Sequence, residues 1–168
     1  MIVFDAFCSN GSTWIDKEWF NSFTVVKNDI RNGEFLIGGR QKIIIEPNTS
    51  INMFEFVEEI DIKYIKSCSF TNEFDLIYLD PPHSLKTTGI MNEKYTHLPN
   101  DWMKTISNMF ANTDRLANQK TTIILKWNEN EIPIKEILNI AKSNNIYPLF
   151  GSKVRTKTYW IVFKQGIF

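Results

Sequence analysis

Phe74-Asp75-Leu76-Ile77-Tyr78-Leu79-Asp80-Pro81-Pro82-His83 is an apolar, β-favouring run that stops at a carboxylate and two prolines. A short continuous apolar run predicts a strand buried on both faces. Pro81 and Pro82 lack a backbone donor and end any ladder there. Outward from this strand the chain alternates. Upstream, residues 2–7 predict a strand, Cys8-Ser9-Asn10-Gly11-Ser12 a tight turn, and Ser12 or Thr13 the cap of a short helix through Phe20. A second strand is expected over 23–27, ending at Asn28-Asp29. Asn32-Gly33 and Gly38-Gly39 punctuate a turn region, and a third strand over 42–46 stops at Pro47. Ile51, Phe54, Val57, Ile62 and Ile65 fall near helical spacing, although Ile60-Asp61-Ile62 also alternates as a strand.

Downstream, helices are expected over 101–116 and 133–143 with a strand over 121–127 between them. Strands over 147–150 and 158–164, separated by Gly151 and a basic stretch, read as an antiparallel hairpin. The fold class is therefore α/β, a mostly parallel sheet covered on both faces with one antiparallel strand in the C-terminal hairpin. In such sheets ligands bind beyond the carboxyl ends of the strands, beside the point where strand order reverses. The loops after Phe7 and Leu79 sit at two such ends.

With 168 residues, 43% of them apolar, the chain can bury a continuous core as a single domain over 1–168. Nineteen basic and nineteen acidic residues give zero formal net charge, which excludes whole-molecule attraction to nucleic acid or an anionic membrane. Polyanion binding then needs a local patch. Cys8 and Cys68 form no CxxC and there are only two histidines, so neither a disulfide framework nor a metal site is expected, and a reducing, cytoplasmic setting fits. No apolar run approaches the roughly 20 residues needed to cross a bilayer. Met1-Ile2-Val3-Phe4-Asp5 lacks the basic start of a signal peptide, so a soluble, unprocessed chain is expected.

Two segments carry chemistry. In Asp5-Ala6-Phe7-Cys8-Ser9-Asn10-Gly11, small side chains let backbone N–H groups approach a nucleoside-type cofactor, and the following helix N-terminus favours an anionic group. Asp29, about twenty residues on, is spaced to accept ribose hydroxyls; a turn or cap role is the plainer alternative. In Asp80-Pro81-Pro82-His83, the carboxylate and the rigidly held Pro81 carbonyl offer two acceptors to one exocyclic amino group, and His83 offers a ring to stack on a base. A turn closed by a proline pair is the alternative there.

Together with Asp29-Ile30-Arg31, these segments resemble class I S-adenosylmethionine-dependent methyltransferases, whose cofactor loop reads D-x-F-x-G-x-G and whose amino-methylating members carry [DNS]-P-P-[YFW]. Leu125-Lys126-Trp127-Asn128-Glu129, Pro148-Leu149-Phe150-Gly151 and Lys157-Thr158-Tyr159-Trp160 are similar to small members encoded by phages and other viruses. The resemblance spans nearly the whole chain and implies a Rossmann-like sheet and an S-adenosylmethionine cofactor. It implies that Asp5, Phe7, Ser9 and Gly11 line the cofactor site, that Asp29 holds the ribose, and that Asp80, Pro81, Pro82 and His83 hold the acceptor, adenine N6 or cytosine N4 in nucleic acid, with DNA favoured. No metal is implied. Ser9 stands where the family's first loop glycine is usual, so a displaced loop backbone is expected, and His83 replaces the usual aromatic residue.

Lys153, Arg155, Lys157 and Tyr159 alternate and are expected to share a face as a basic strip contacting nucleic acid, or as a charged edge strand that discourages aggregation. Lys126 and Asn128, at a strand end, are expected to reach the acceptor, or to belong to a helix-capping loop. The polar segment 84–100 reads as a lid over the site or as an idle loop. A catalytically silent cofactor-binding or nucleic-acid-binding module, or an enzyme acting on RNA, protein or a small molecule, is the alternative function. High sequence specificity would require a homo-oligomer or a partner, because the catalytic fold consumes nearly all of the chain.

Overall fold

Residues Leu76–Leu79 form a strand in the middle of a six-stranded sheet. The computed structural model describes residues 1–9, 23–37, 41–45, 47, 49–55, 74–88, 96–155 and 157–166. Along these the elements are β1 (Ile2–Asp5), β2 (Thr24–Lys27), β3 (Gly33–Ile37), β4 (Gln41–Ile45), β5 (Leu76–Leu79), α1 (Trp102–Leu116), β6 (Thr122–Asn128), α2 (Ile134–Ser143), β7 (Ile146–Arg155) and β8 (Thr158–Gln165). The sheet order is β2-β1-β5-β6-β8-β7. β2, β1, β5 and β6 run parallel, and β8 runs antiparallel to both β6 and β7. The expected α/β class, mostly parallel with an antiparallel C-terminal strand, is what the chain adopts.

From β1 the chain steps outward to β2, whereas β5 and β6 lie on the other side of β1. Strand order therefore reverses between β1 and β5, and loops leaving those two strands diverge and open a crevice. Val3, Phe4 and Asp5 are all buried, as are Ile77, Tyr78 and Leu79, so both faces of the central strands are covered. Along β6 burial alternates, with Ile123, Leu125 and Trp127 in the core and Lys126 and Asn128 on the opposite face. Helix α1 buries Ile106, Met109, Phe110, Thr113 and Leu116, one helical stripe, and packs beside α2. Pro133, in extended conformation, caps α2, where its missing N–H costs nothing. The Trp127 indole N–H donates to the Ile132 carbonyl at 3.1 Å, so the largest core side chain is polar-satisfied.

Three expectations are corrected. Gly33 opens a strand, β3, which pairs with β4 as a separate antiparallel two-stranded sheet, so neither belongs to the main sheet. Of the segment 51–65 expected as a helix, residues 51–55 are a turn, because side chains from elsewhere take their backbone groups, and residues 56–65 lie outside the described residues. Asn108 donates to the Phe54 carbonyl at 2.9 Å, and Asn112 donates to the carbonyls of Met53 and Glu55 at 3.2 and 2.8 Å. The basic stretch after Gly151 lies within β7, which runs from Ile146 to Arg155 with register shifts between Pro148 and Phe150 and between Lys153 and Arg155. A side chain on Gly151 would meet the Trp160 carbonyl oxygen at 3.0 Å, so glycine here permits strand contact and does not break the strand. The expected helix through Phe20, the Gly38-Gly39 turn, Cys68 and the middle of segment 84–100 lie outside the described residues.

Candidate functional site

The chain leaves β1 by bonding alternately to both neighbours. Ala6 N–H donates to the Tyr78 carbonyl at 3.0 Å, then Cys8 N–H to the Asn28 carbonyl at 2.9 Å. Asn28, 1% exposed, is the hub of this region. Its side-chain amide donates to the carbonyls of Ala6 and Ile51 at 2.9 and 3.0 Å, and its side-chain oxygen accepts from Ile51 N–H at 2.7 Å. The loop after β1, the end of β2 and the 51–54 turn are thereby held around one cleft. The cleft is open to solvent at its mouth.

Ser9 takes φ of 44°, the left-handed conformation that glycine favours. Its N–H donates to Asp29 Oδ2 at 3.2 Å, while its hydroxyl oxygen is buried with no partner among the described residues. Asp29 is 6% exposed and gripped by Arg31. The backbone N–H and Nε of Arg31 donate to Oδ1 at 3.0 and 2.9 Å, and Nη2 donates to Oδ2 at 2.8 Å. With the Ser9 bond, the roughly four lone-pair positions of the carboxylate are filled. Ile30, Ile51 and Phe54 add apolar lining, and the Phe7 and Phe54 rings meet at 5.2 Å between centroids.

The opposite wall comes from the ends of β5 and β6. Asp80 Oδ2 accepts from Lys126 Nζ at 2.7 Å and from the Tyr78 hydroxyl at 3.4 Å. The Tyr78 ring stacks on Trp160 with centroids 5.8 Å apart. Pro82 and Thr96 complete this wall. His83 turns away from the cleft, its ring edge-on to Trp127 at 6.1 Å, and its Nδ1 is buried without a partner among the described residues. Burial holds the imidazole below its usual pKa, with the Asp80 carboxylate pulling the other way. Behind it, the Ser84 carbonyl accepts from Leu98 N–H at 2.8 Å, and Glu131 accepts from Leu85 N–H at 2.6 Å, which pins both ends of the segment between.

Phe7, Ser9, Asp29, Asp80, Pro82 and Lys126 are thus brought to one cleft. Asp5 lies beneath its floor, 1% exposed, with its carbonyl accepting from Asn28 N–H at 2.8 Å. Pro81 is buried behind the wall. Gly11 lies outside the described residues. Asn128 is away from the cleft, bonded to the Thr158 hydroxyl at 3.1 Å and to Asn130 N–H at 3.0 Å. Lys153 pairs with Glu129 at 3.2 Å and its ammonium lies 5.0 Å from the Tyr159 ring centre, so its charge is partly compensated. The Tyr159 hydroxyl, at 2.8 Å, holds the Glu129 carboxyl below its usual range. Arg155 ends β7 and Lys157 is exposed in the β7–β8 turn, at the same end of the sheet as the cleft but two strands from Asp80. Asn28, Thr96 and the 51–54 turn escaped the sequence reading. An asparagine beside the strand-end aspartate was the one signal available.

No protein-family profile and no curated protein sequence matches the chain. Solved structures do. A TehB-like S-adenosylmethionine-dependent methyltransferase from Corynebacterium glutamicum superposes with a TM-score of 0.57 at 14% identity, over 98% of this chain and 79% of that one. The PH0226 protein of Pyrococcus horikoshii gives 0.56 at 12%, covering 98% and 81%. A ribosomal protein L11 methylase from Lactobacillus delbrueckii gives 0.53 at 10%, covering 99% and 70%. At these identities the likeness is one of architecture, and the chain has the fold in which S-adenosylmethionine-dependent methyltransferases are built.

Proposed function

We propose that this protein is an S-adenosylmethionine-dependent methyltransferase acting on an amino nitrogen, adenine N6 or cytosine N4, in nucleic acid, with DNA the favoured polymer. The observation that carries the reading is the shared cleft, in which Asp80, at the end of β5, faces the Ser9–Asp29 wall across the switch point. The residues present fit the cofactor. Ser9 takes the left-handed turn that lets a ligand approach the backbone, Asp29 is the ribose acceptor once Arg31 is displaced, and Ile30, Ile51 and Phe54 give an apolar lining for the adenine. When bound, S-adenosylmethionine supplies a sulfonium methyl group that transfers as the C–S electron pair returns to sulfur.

The protein's own contribution is orientation. Asp80 holds the amino group so that the nitrogen lone pair points at the methyl carbon, and Asp80 or water takes the proton released as the N–C bond forms. Lys157 and Arg155, at the same end of the sheet, supply the local positive charge for the phosphate backbone. No described helix is long and apolar enough to cross a membrane.

The test is calorimetric titration with S-adenosylhomocysteine followed by labelled-methyl transfer to DNA, RNA and protein. The expected result is binding, and transfer to DNA that Asp80→Ala lowers by a hundredfold or more, on the scale of lost acid–base and positioning groups, about 10²–10⁴, while cofactor binding persists. Full single-turnover transfer by Asp80→Ala overturns the assignment of the acceptor site. Absence of binding overturns the cofactor.

A further inference from the structure

We propose that Lys126 is a specificity-determining residue. Beside Asp80 it forms a donor–acceptor pair that reads the Watson–Crick edge of the acceptor base, so the substrate is an unpaired adenine or cytosine in single-stranded DNA. The inference rests on the methyltransferase reading above and names its substrate more narrowly.

Ladder register puts the two side chains together. Leu79 of β5 pairs with Leu125 of β6, so the next residues, Asp80 and Lys126, stand side by side on the same face. The Nζ–Oδ2 distance is 2.7 Å, and the Tyr78 hydroxyl lies on the same oxygen at 3.4 Å. Oδ1 takes no hydrogen bond among the described residues, and two of the three Lys126 N–H donors are unused there. Both residues line the cleft, the Lys126 side chain 35% exposed and that of Asp80 16%. The wall therefore offers one open acceptor directly beside an open cationic donor.

Adenine presents the amino group N6 next to the acceptor N1, and cytosine presents N4 next to N3. Each matches Asp80 Oδ1 plus Lys126 Nζ. Guanine presents N2–H beside N1–H on that edge, so the Lys126 ammonium would face a donor. An aliphatic amine has no neighbouring acceptor at all. Because N1 or N3 is the atom used in base pairing, a base read this way is already unpaired or has been extruded. His83 packs against Trp127 and turns from the cleft, so among the described residues the rings that line it, Phe7 and Phe54, belong to the wall opposite Asp80 and Lys126, and a base that is already unpaired is the one this wall reads at least cost.

The experiment measures kcat/KM for methyl transfer to single-stranded oligonucleotides carrying one adenine or cytosine, and to matched ones carrying 1-deazaadenine or 3-deazacytosine. The unmodified protein, Lys126→Met and Lys126→Arg are compared, with thermal melts confirming that each is folded. The deaza ring leaves the amine at least as nucleophilic, so slower transfer reports a lost contact. The unmodified protein is expected to lose tenfold or more on the deaza base and to work more slowly on the same strand in duplex. Lys126→Met is expected to lose a similar factor on the natural base with no further loss on the deaza base. Lys126→Arg restores most of the discrimination. Equal rates on natural and deaza bases, full discrimination by Lys126→Met, faster transfer to duplex, or transfer to a glutamine peptide in preference to bases overturns the inference while leaving a methyltransferase. Cofactor binding with no transfer to any acceptor overturns the enzyme reading, and this inference with it.

Discussion

Replacing Asn28 by alanine tests the claim that one buried amide holds the cleft together. The side chain makes three hydrogen bonds, of 2.9 and 3.0 Å to the carbonyls of Ala6 and Ile51 and of 2.7 Å from Ile51 N–H, at 1% exposure. Its backbone bonds to Asp5 and Cys8 survive the change, so the loss is confined to those three. At about 1 kcal/mol net per bond, with the stranded Ile51 N–H at the upper end of the scale, the expected destabilisation is about 3 kcal/mol. In urea, with a slope of about 2 kcal/mol/M, the midpoint falls by about 1.5 M at unchanged slope. Asn28→Asp keeps the acceptor for Ile51 N–H but sets a buried carboxylate against two carbonyl oxygens. It should therefore be less stable than alanine at neutral pH and recover in part when acid protonates it. A loss below about 1 kcal/mol in the alanine variant refutes the reasoning, because it would mean water or a shifted turn replaces the amide without cost.

Ser9→Gly removes both the left-handed strain at φ 44° and a buried hydroxyl that has no partner among the described residues. Offset by glycine's larger chain entropy, the change should stabilise the protein by about 1 kcal/mol, read as a raised urea midpoint, whereas a destabilisation would show that the serine side chain holds the loop. The Cys8 thiol is pushed up to about 12 by burial first and by the Asp5 and Asp29 carboxylates second. The native pKa lies above the unfolded one, so the thiol's contribution is complete below pH 9 and is lost progressively as pH rises toward 12. Between pH 9 and 11 the unmodified protein should lose stability more steeply than Cys8→Ala. Iodoacetamide should modify the folded protein at pH 8 far more slowly than an unfolded control, and equal rates would refute the burial.

How far the sequence could be read depended on whether a segment's partners lie close along the chain. The strand before Asp80 and helices α1 and α2 carry their own periodicity, so burial and type follow from local pattern. Residues 51–55 do not. Ile51 and Phe54 fall at helical spacing, yet the backbone of this segment is claimed by Asn28, Asn108 and Asn112, which lie 23, 54 and 57 residues away from their nearest partners in it. Gly151 misled for a related reason, since what demands a glycine there is the Trp160 carbonyl in the adjoining strand and not a change of chain direction. Gly33, in contrast, does have φ of 120°, but it opens a strand.

The same distinction separates the two walls of the cleft. Asp29 and Asp80 were visible because a carboxylate just beyond a buried β run is out of place as core and well placed as a ligand group. Their partners were not. That Arg31 saturates Asp29, and that Lys126 stands beside Asp80, follow from side-chain reach and from the Leu79–Leu125 register. Only the second is derivable in principle: once β5 and β6 are known to be parallel neighbours aligned at their ends, the residue after each last core leucine must be adjacent. A lysine placed there neutralises a half-buried carboxylate while leaving one of its oxygens open, and this gives the wall both an acceptor and a donor. An alanine at position 126 would leave Asp80 an acid without its cation, held by the Tyr78 hydroxyl alone among the described residues, and the wall would keep its acceptor but lose its donor.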